Sequence, residues 1–381
     1  MTPSPPGDRR RPSLGPGTRA VHAGMPPAAQ GEPLLPGPVL AAPYHLRGDA
    51  DAAAYVYGRY GNPTWTHLER ALGELEEAEA VTFASGMAAL TAVVLPLLGR
   101  GDVLVACGDG YPGVREIARE RLEPLGIEVR LVPTDTEAVA AAAPGARLLW
   151  LETPSNPRLD VVDIAAAAEA AHAAGALLAV DNTVATGLGQ RPLDLGADLS
   201  MLSGTKSLSG HSDLLLGAVL VRDAVLAEGL RRWRGQTGAV PGPFEAWLAH
   251  RSLATLGLRA ERQSDTGLAL ARRLRERGDV SDLRHPGLED DPSHAVARRQ
   301  MALWGPLLGF ALPSAERAQA FLAACALVSE ATSFGGVHAT AERRGRWGTD
   351  DVPEGFIRFS AGCEDTADLV ADVEQALDRV A

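Results

Sequence analysis

Cysteine is scarce in this chain of 381 residues, which contains only Cys107, Cys325 and Cys363. The count is odd and no two cysteines form a Cys-x-x-Cys pair, so a disulfide framework is not expected. All three lie in apolar or strand-like surroundings, which predicts reduced thiols in the core of a cytoplasmic protein. We expect no metal site.

Long apolar runs are missing as well. A membrane helix needs about 20 apolar residues in succession, whereas the most Ala-rich segment, 164–180, is interrupted by Glu169, His172 and Gly175. The first residues carry Pro, Gly and the run from Arg9 to Arg11, but no apolar stretch of the kind found in signal peptides. We therefore expect a soluble protein in which about the first 17 residues form a disordered tail.

A surplus of positive charge is also absent. The formal net charge is −12, whereas proteins that bind nucleic acid present clustered basic surfaces, so small metabolites are the expected partners. The length exceeds the size at which one hydrophobic core keeps growing. Hydrophobic residues make up 46% and charged residues 22% of the chain, as in folded globular proteins. We expect two packed domains and an irregular N-terminal arm over residues 1–51.

Short apolar runs alternate with Ala-rich helical patterns between residues 80 and 221. This alternation is typical of βα units wound on a mostly parallel sheet, so we predict an α/β fold. The predicted strands are 103–106, 127–132, 148–152, 177–181, 199–203 and 214–221. The predicted helices are 86–98, 113–122, 136–142, 164–174 and 224–232.

A turn-rich stretch at 235–243 predicts the border between two domains. The larger domain would span 52–237 and the smaller one 238–381. In the smaller domain the pattern predicts one long helix over 244–277, strands at 307–312 and 356–360, and a closing helix over 367–380. It is therefore expected to be an α+β domain.

Lys206 is the first candidate for chemistry. It follows a strand-like run in the sequence Ser203-Gly-Thr-Lys206, so it should lie just past the carboxyl end of a strand, where open α/β sheets bind ligands. A lysine amine attacks an aldehyde only when it is unprotonated, and desolvation lowers its pKa toward neutrality. The hydroxyls of Ser203 and Thr205 could donate to a phosphate. Taken alone, this motif is better explained by an exposed loop lysine.

Two further motifs suit the same ligand. The strand-like run 177–180 ends in Asp181, a carboxylate that could keep a pyridine nitrogen protonated. Ser85, Gly86 and Met87 form a turn of small residues before a helical pattern, where Ser85 would cap the helix and the next N–H groups would face a phosphate. Each motif also has an ordinary structural explanation, as a turn-forming aspartate and a common helix cap.

Several motifs in a fixed order resemble the Cys/Met-metabolism PLP-dependent enzymes. They are Tyr57-Gly-Arg59-Tyr-Gly-Asn-Pro-Thr, Ala84-Ser-Gly-Met-Ala-Ala, Glu152-Thr-Pro-Ser-Asn156-Pro, Val180-Asp-Asn-Thr, Ser203-Gly-Thr-Lys and Gly210-His-Ser-Asp213. The likeness extends from residue 18 to residue 362. It implies the PLP-dependent transferase type I fold, in which the larger domain binds pyridoxal 5′-phosphate (PLP). The family includes cystathionine γ-synthases, cystathionine γ- and β-lyases and methionine γ-lyases.

The resemblance also implies which groups hold the cofactor. Lys206 would form the Schiff base with PLP, Asp181 would face the pyridine nitrogen, and Tyr111 would stack on the ring and exchange protons near the sulfur. The other cofactor-binding residues that the match implies are Ser85, Gly86, Met87, Asn156, Thr183, Ser203 and Thr205.

The match further implies which residues bind the substrate and which residues act between subunits. Arg358 corresponds to the arginine that binds the substrate α-carboxylate, with Ser333 beside it. Tyr57 and Arg59 correspond to a pair that reaches the phosphate from a neighbouring subunit, a contact that suits the planar fork of an arginine. The expected assembly is a homotetramer, a dimer of dimers with active sites shared between subunits.

The motifs do not decide which of the family's reactions this protein catalyses. The sequence His211-Ser-Asp213 favours the lyase and synthase branches over the homoserine sulfhydrylases. Thr332 stands where many γ-synthases and γ-lyases have a glutamate that could pair with a distal ammonium group. Phe334 replaces their leucine and is more typical of β-lyases, while Gly113 replaces the cysteine associated with methionine-specific lyases.

We expect a carbon–sulfur lyase that acts on a sulfur amino acid by γ-elimination, of the cystathionine or methionine type, and releases 2-oxobutanoate, ammonia and a thiol. The alternatives are γ-replacement, as in cystathionine γ-synthase, and β-elimination, as in cystathionine β-lyase. A regulatory PLP-binding protein without turnover is a further alternative. The presence of Lys206, Asp181, Tyr111 and Arg358 argues against that last possibility.

The segment Glu342-Arg-Arg-Gly-Arg346-Trp347 is unusually basic and follows the Ser333 loop. We interpret it as a solvated loop. The alternative is that it shapes the substrate entrance.

Overall fold

A seven-stranded sheet forms the centre of the larger part of the molecule. The structure is a computed structural model that describes residues 14–380. The strands of this sheet are β1 Glu79–Phe83, β2 Val103–Cys107, β3 Glu128–Val132, β4 Leu148–Glu152, β5 Leu177–Asp181, β6 Leu199–Ser203 and β7 Gly217–Val221. Their order is β1-β7-β6-β5-β4-β2-β3. Strands β2 to β6 pair in parallel, and only β7 runs antiparallel to its two neighbours.

Thirteen helices accompany the strands in the described residues. They are α1 Pro16–His22, α2 Pro63–Glu76, α3 Gly86–Leu97, α4 Pro112–Ile117, α5 Thr136–Ala142, α6 Ile164–Ala173, α7 Thr186–Gly189, α8 Ala224–Thr237, α9 Pro243–Leu253, α10 Leu256–Arg275, α11 His294–Gln300, α12 Ala315–Ala324 and α13 Thr366–Val380. None of the helices within residues 14–380 is both long and apolar enough to cross a membrane.

Helices cover both faces of the large sheet because its strands are apolar on both sides. Leu104 of β2 faces a cluster completed by α3 and α8. The next residue, Val105, faces a second cluster completed by α5 and α6. Successive side chains of a strand point to opposite faces, so a continuous apolar run is what a doubly covered parallel sheet requires. The predicted α/β architecture is confirmed.

A second sheet of five strands lies in the C-terminal part. Its strands are β8 Ser281–Arg284, β9 Leu307–Ala311, β10 Ser329–Glu330, β11 Thr340–Arg343 and β12 Phe356–Ser360. Their order is β10-β11-β12-β9-β8, and α10, α12 and α13 contribute to the core on this sheet. The predicted smaller α+β part is therefore present, and the antiparallel register sets Glu342 of β11 directly opposite Arg358 of β12.

The prediction of one long helix over 244–277 is wrong. Helix α9 ends at Leu253 and α10 begins at Leu256, with Thr255 between them in a non-helical conformation. The bend is held by Arg259, whose guanidinium donates to the carbonyl of Ser252 and to the hydroxyl of Thr255. The break is accompanied only by Gly257, the second residue of α10, and a single glycine is tolerated inside a helical pattern, so periodicity alone could not reveal the break.

The predicted border at 237/238 stays a prediction. Leu253 of α9 packs with Leu68 of α2 in the core of the larger part, whereas Leu270 of α10 packs on the second sheet. Helix α10 thus connects the two cores. The predicted disordered tail falls largely outside the described residues, and α1 begins at Pro16.

Candidate active site

The carboxyl ends of β4, β5 and β6 open into one cavity of about 370 Å³. Glu152, Asp181 and Ser203 are the last residues of these three parallel strands, so they meet at the same edge of the sheet. The volume is that of a small-molecule site. Of the predicted site residues, this cavity brings together Ser85, Gly86, Met87, Tyr111, Asn156, Asp181, Thr183, Ser203, Thr205, Lys206, Ser333 and Arg358.

Lys206 enters the cavity from the turn after β6. Its Nζ donates to Ser333 Oγ at 2.6 Å and lies 5.3 Å from the centre of the Phe334 ring. Burial, assisted by the positive charge of Arg358, lowers the pKa of Lys206 to about 8, although Asp181 opposes the shift. Lys206 is also the only lysine of the chain, since all its other Lys and Arg residues are arginines. This uniqueness is visible in the sequence alone.

The pKa of Lys206 predicts how PLP attaches to protein from which cofactor has been removed. Below a pKa of about 8 the neutral amine, which is the form that attacks an aldehyde, increases about tenfold per pH unit. The rate of attachment, followed by the absorbance of bound cofactor, should therefore rise steeply from about pH 6 and level off above about pH 8. A rate that continues to rise toward about pH 10, as expected for an ordinary lysine, would contradict this account.

The carboxylate of Asp181 is held by hydrogen bonds from Thr183, two residues later in the chain. The backbone N–H and the hydroxyl of Thr183 both donate to Asp181 Oδ1, at 3.0 and 2.5 Å. The same hydroxyl accepts from the N–H of Ser203 at 2.8 Å, which ties β5 to β6. Burial raises the pKa of Asp181 to about 6. A cation facing Asp181 Oδ2, such as a protonated pyridine nitrogen, would favour the ionised carboxylate.

Glu152 is a site residue to which the motifs assigned no role. It lies opposite Asp181 in the register of β4 and β5, and its Oε2 accepts from the backbone N–H of Tyr111 at 2.5 Å. Burial and the like charge of Asp181 raise the pKa of Glu152 well above its usual range. Glu152 thus fixes the turn that carries Tyr111. Its place in the Glu-Thr-Pro-Ser-Asn-Pro motif, at the end of a strand, was the available signal.

The corner around the start of α3 suits a phosphate. Ser85 caps the helix by accepting from the N–H of Ala88 at 3.1 Å, and the N–H groups at the first turn of a helix have no acceptor within it. A Cβ on Gly86 would lie 2.8 Å from Cβ of Ser203, so only glycine lets the turn approach β6 this closely. The hydroxyl of Thr205 already donates to the carbonyl of Leu216 at 3.3 Å. Helix N–H groups and nearby hydroxyls, together with Lys206 and Asp181 further along the cavity, are a donor set that fits PLP.

Arg358 closes the opposite side of the cavity. Its Nη1 donates to Asn156 Oδ1 at 2.8 Å, and its Nη2 donates to the Ser333 carbonyl and to Glu342 Oε2, both at 2.9 Å. Burial lowers the pKa of Arg358 to about 10, which leaves it cationic at neutral pH. Ser333 adopts a φ of 75°, a left-handed conformation that is costly for a residue with a side chain.

The interpretation of residues 342–347 as a solvated loop is wrong for its first half. Glu342 is 1% exposed and Arg344 is 8% exposed, and Arg344 lines the cavity. Glu342 Oε2 accepts from both Arg344 and Arg358, which offsets the cost of burying the three charges. Only the end of the segment reaches solvent, where Trp347 is 51% exposed.

Tyr57 and Arg59 lie outside the cavity of their own chain. Tyr57 is 43% exposed, and Arg59 donates to the carbonyl of Gly235 at 2.8 Å while its guanidinium lies 4.6 Å from the centre of the Tyr60 ring. The expected contact with the phosphate of a neighbouring subunit stays a prediction.

Known proteins resemble this chain over most of its length. The family model described as Cys/Met metabolism PLP-dependent enzyme matches residues 17–378. A putative cystathionine γ-lyase of Streptomyces coelicolor is 57% identical over 98% of this chain and 96% of its own length. A methionine γ-lyase structure from Micromonospora echinospora has a TM-score of 0.90 at 39% identity, covering 96% of this chain and 99% of its own. A cystathionine γ-synthase structure from Xanthomonas oryzae pv. oryzae has a TM-score of 0.92 at 32% identity, covering 97% and 99%.

Proposed function

Because this chain belongs to the family of Cys/Met metabolism PLP-dependent enzymes, we propose that it is a carbon–sulfur lyase that cleaves sulfur amino acids by γ-elimination. The activity is of the cystathionine γ-lyase or methionine γ-lyase type and releases 2-oxobutanoate, ammonia and a thiol. One observation supports the proton removal at Cα with which such an elimination begins: Ser333 accepts from Lys206 through its hydroxyl and from Arg358 through its carbonyl. A substrate carboxylate on Arg358 would therefore bring Cα close to the Lys206 amine.

Different residues around the cavity would hold different parts of the cofactor. The start of α3 and Ser203 would bind the phosphate, Asp181 would pair with the pyridine nitrogen and Lys206 would be the point of attachment. When bound, PLP supplies the electron sink for negative charge that develops at Cα.

Lys206 and Tyr111 carry the proton transfers. With a pKa near 8, Lys206 suits a general base that removes the proton from Cα, since such bases work best near the operating pH. It can remove a second proton, from Cβ, only after it has given up the first and is neutral again. Burial and the nearby carboxylates raise the pKa of Tyr111. Its phenol therefore stays protonated at neutral pH and can donate a proton to the departing thiolate.

Phe334 has a role in this cavity that does not depend on the branch of the family. Its ring is packed in a buried cluster with Leu159, Val184 and Leu307, and it lies 5.3 Å from Lys206 Nζ and 5.5 Å from Arg358 Cζ. These are cation–π distances. The aromatic ring thus contacts both cations, whichever bond the enzyme breaks.

Position 113 has little room for the cysteine that is associated with methionine-specific lyases. A Cβ at this position would lie 2.6 Å from Cε1 of Tyr111 and 2.8 Å from Sδ of Met87. A cysteine would therefore require the Tyr111 ring to move.

We also propose a homotetramer with shared active sites. The N-terminal arm exposes Leu34 by 85% and Leu40 by 78%, and such apolar surfaces are commonly covered by another subunit. The outward position of Arg59 is compatible with a contact to a neighbouring active site. The cytoplasmic location expected from the unpaired cysteines stays a prediction.

The keto acid formed from cystathionine tests the reaction class. γ-Elimination removes protons from Cα and Cβ before the thiol leaves Cγ, so we expect 2-oxobutanoate in excess over pyruvate. Chromatography of the derivatised keto acids measures both, with methionine as a second substrate. Pyruvate as the main product would establish β-elimination instead, and efficient formation of cystathionine from an O-acylated homoserine and cysteine, without keto acid, would establish γ-replacement.

A further inference from the structure

Arg344 is fixed beside the turn that carries Tyr111. Arg115, in α4 just after that turn, donates through Nη2 to the carbonyl of Thr349 at 2.5 Å, and through Nη1 to the carbonyls of Gly108 and Gly110 at 2.7 Å each. These bonds dock the segment after β11 on the other wall of the cavity. Arg344 lines the cavity from this segment.

The guanidinium of Arg344 is held by two carboxylates. Its Nε donates to Asp350 Oδ2 at 2.8 Å and its Nη2 lies 2.6 Å from the same oxygen, while its Nη1 donates to Glu342 Oε2 at 3.0 Å. A guanidinium has five N–H donors, so one N–H on each terminal nitrogen is left without a partner within residues 14–380. A fork that is already fixed loses little entropy when it binds a carboxylate.

Arg344 and Arg358 occupy different places in the cavity. Both donate to Glu342 Oε2, but only Arg358 also contacts Ser333, the residue that bonds Lys206. Arg344 instead belongs to the segment that Arg115 docks beside the turn carrying Tyr111. Since Tyr111 is the proposed proton donor to the departing sulfur and Arg358 the proposed partner of the α-carboxylate, Arg344 would face the part of the substrate beyond the sulfur.

The far end of the cavity favours an anion. Thr332 lines the cavity with a hydroxyl group, and the two nearby carboxylates, Glu342 and Asp350, are already bonded to Arg344. Asp350 Oδ1 is buried without a partner among the described residues, but neither Asp350 nor Glu342 lines the cavity. A distal ammonium group would therefore meet no carboxylate of this segment at the cavity wall, whereas a distal carboxylate would meet the two remaining N–H groups of Arg344.

We propose that Arg344 binds a carboxylate at the distal end of the substrate, so that the enzyme prefers γ-thioethers ending in a carboxylate over plain alkyl thioethers. This inference rests on the proposed γ-elimination and names the substrate class of the same cavity. Cystathionine meets the requirement through its distal carboxylate, and its distal ammonium group contributes little.

Three thioethers of homocysteine that differ only at the distal end test the proposal on the holoenzyme. They carry an S-(2-carboxyethyl), an S-(2-aminoethyl) or an S-propyl group. The kcat/KM for keto-acid release from the carboxyethyl compound should exceed that of the propyl compound about tenfold to a hundredfold, which is the value of one charge-assisted hydrogen bond. The aminoethyl compound should be no better than the propyl compound.

Substitutions assign this preference to Arg344. In Arg344→Gln the carboxyethyl-to-propyl ratio should fall to near one, and in Arg344→Lys, which keeps the charge but lacks the fork, it should be intermediate. Arg346→Gln is the matched control, because Arg346 lies in the same segment, pairs with the surface residue Glu330, and should leave the ratio unchanged. If both Arg344 variants retain the wild-type ratio, another residue recognises the distal group and the proposal is overturned.

Calorimetric binding of the same compounds separates this proposal from the proposed reaction. Tighter binding of the carboxyethyl compound, without keto acid from any compound, would support the role of Arg344 and contradict γ-elimination. Equal kcat/KM and equal affinity for the carboxyethyl and propyl compounds in wild type would overturn the role of Arg344 even if 2-oxobutanoate is formed. The wild-type comparison remains decisive if Arg344→Gln does not fold.

Discussion

Replacement of Lys206 by alanine should abolish the attachment of PLP and lower kcat for keto-acid release by at least about 10²- to 10⁴-fold, the usual contribution of a general base. The loss should be this large because Lys206 is the only lysine of the chain, so no other lysine amine can take over. The substitution should impair the catalytic step but not the non-covalent binding of the cofactor, since Asp181 and the phosphate corner at α3 remain in place to hold free cofactor.

Lys206→Arg is the matched control for charge. The guanidinium keeps the positive charge but is not deprotonated in proteins, so this variant should be as inactive as Lys206→Ala. In wild type, borohydride reduction followed by peptide mapping should find the pyridoxyl group on Lys206. Because the only other amine is that of the N-terminus, a label there, or an active Lys206→Arg enzyme, would rule out the assignment.

Mixing an inactive Arg59→Ala protein with an inactive Lys206→Ala protein should restore activity. If Arg59 serves the cavity of a neighbouring subunit, each mixed dimer has one site carrying both defects and one site that is intact. Random exchange in an isologous dimer would then recover about a quarter of the wild-type activity. The reason lies in the position of Arg59, which donates to Gly235 outside the cavity of its own chain.

A second mixture provides the control for subunit exchange. Arg358 and Lys206 line the same cavity of one chain, so mixing Arg358→Ala with Lys206→Ala leaves a defect in every site and should restore nothing. Exchange itself is monitored with two affinity tags. Recovery in neither mixture, despite demonstrated exchange, would mean that Arg59 does not act across subunits.

Local patterns in the sequence predicted the sheet that carries the site. Strands at 148–152, 177–181 and 199–203 have the predicted bounds, because a strand buried on both faces is a continuous apolar run that ends where polar residues begin. Asp181 and Lys206 could be placed at the sheet edge for the same reason. Their spacing from strand ends is a local property, so no knowledge of distant contacts was needed.

Local sequence patterns therefore predict the α/β architecture, the bounds of β4, β5 and β6, and the family to which the motifs point. The break between α9 and α10 and the burial of Glu342 and Arg344 are seen only in the folded molecule. These features depend on partners far along the chain: Arg259 bonds the carbonyls of Ser207 and Leu208 as well as the bend itself, and Glu342 is buried because β11 pairs with β12, which carries Arg358. A run of arginines looks solvated in sequence because its counter-charges are visible only once the strands are assembled.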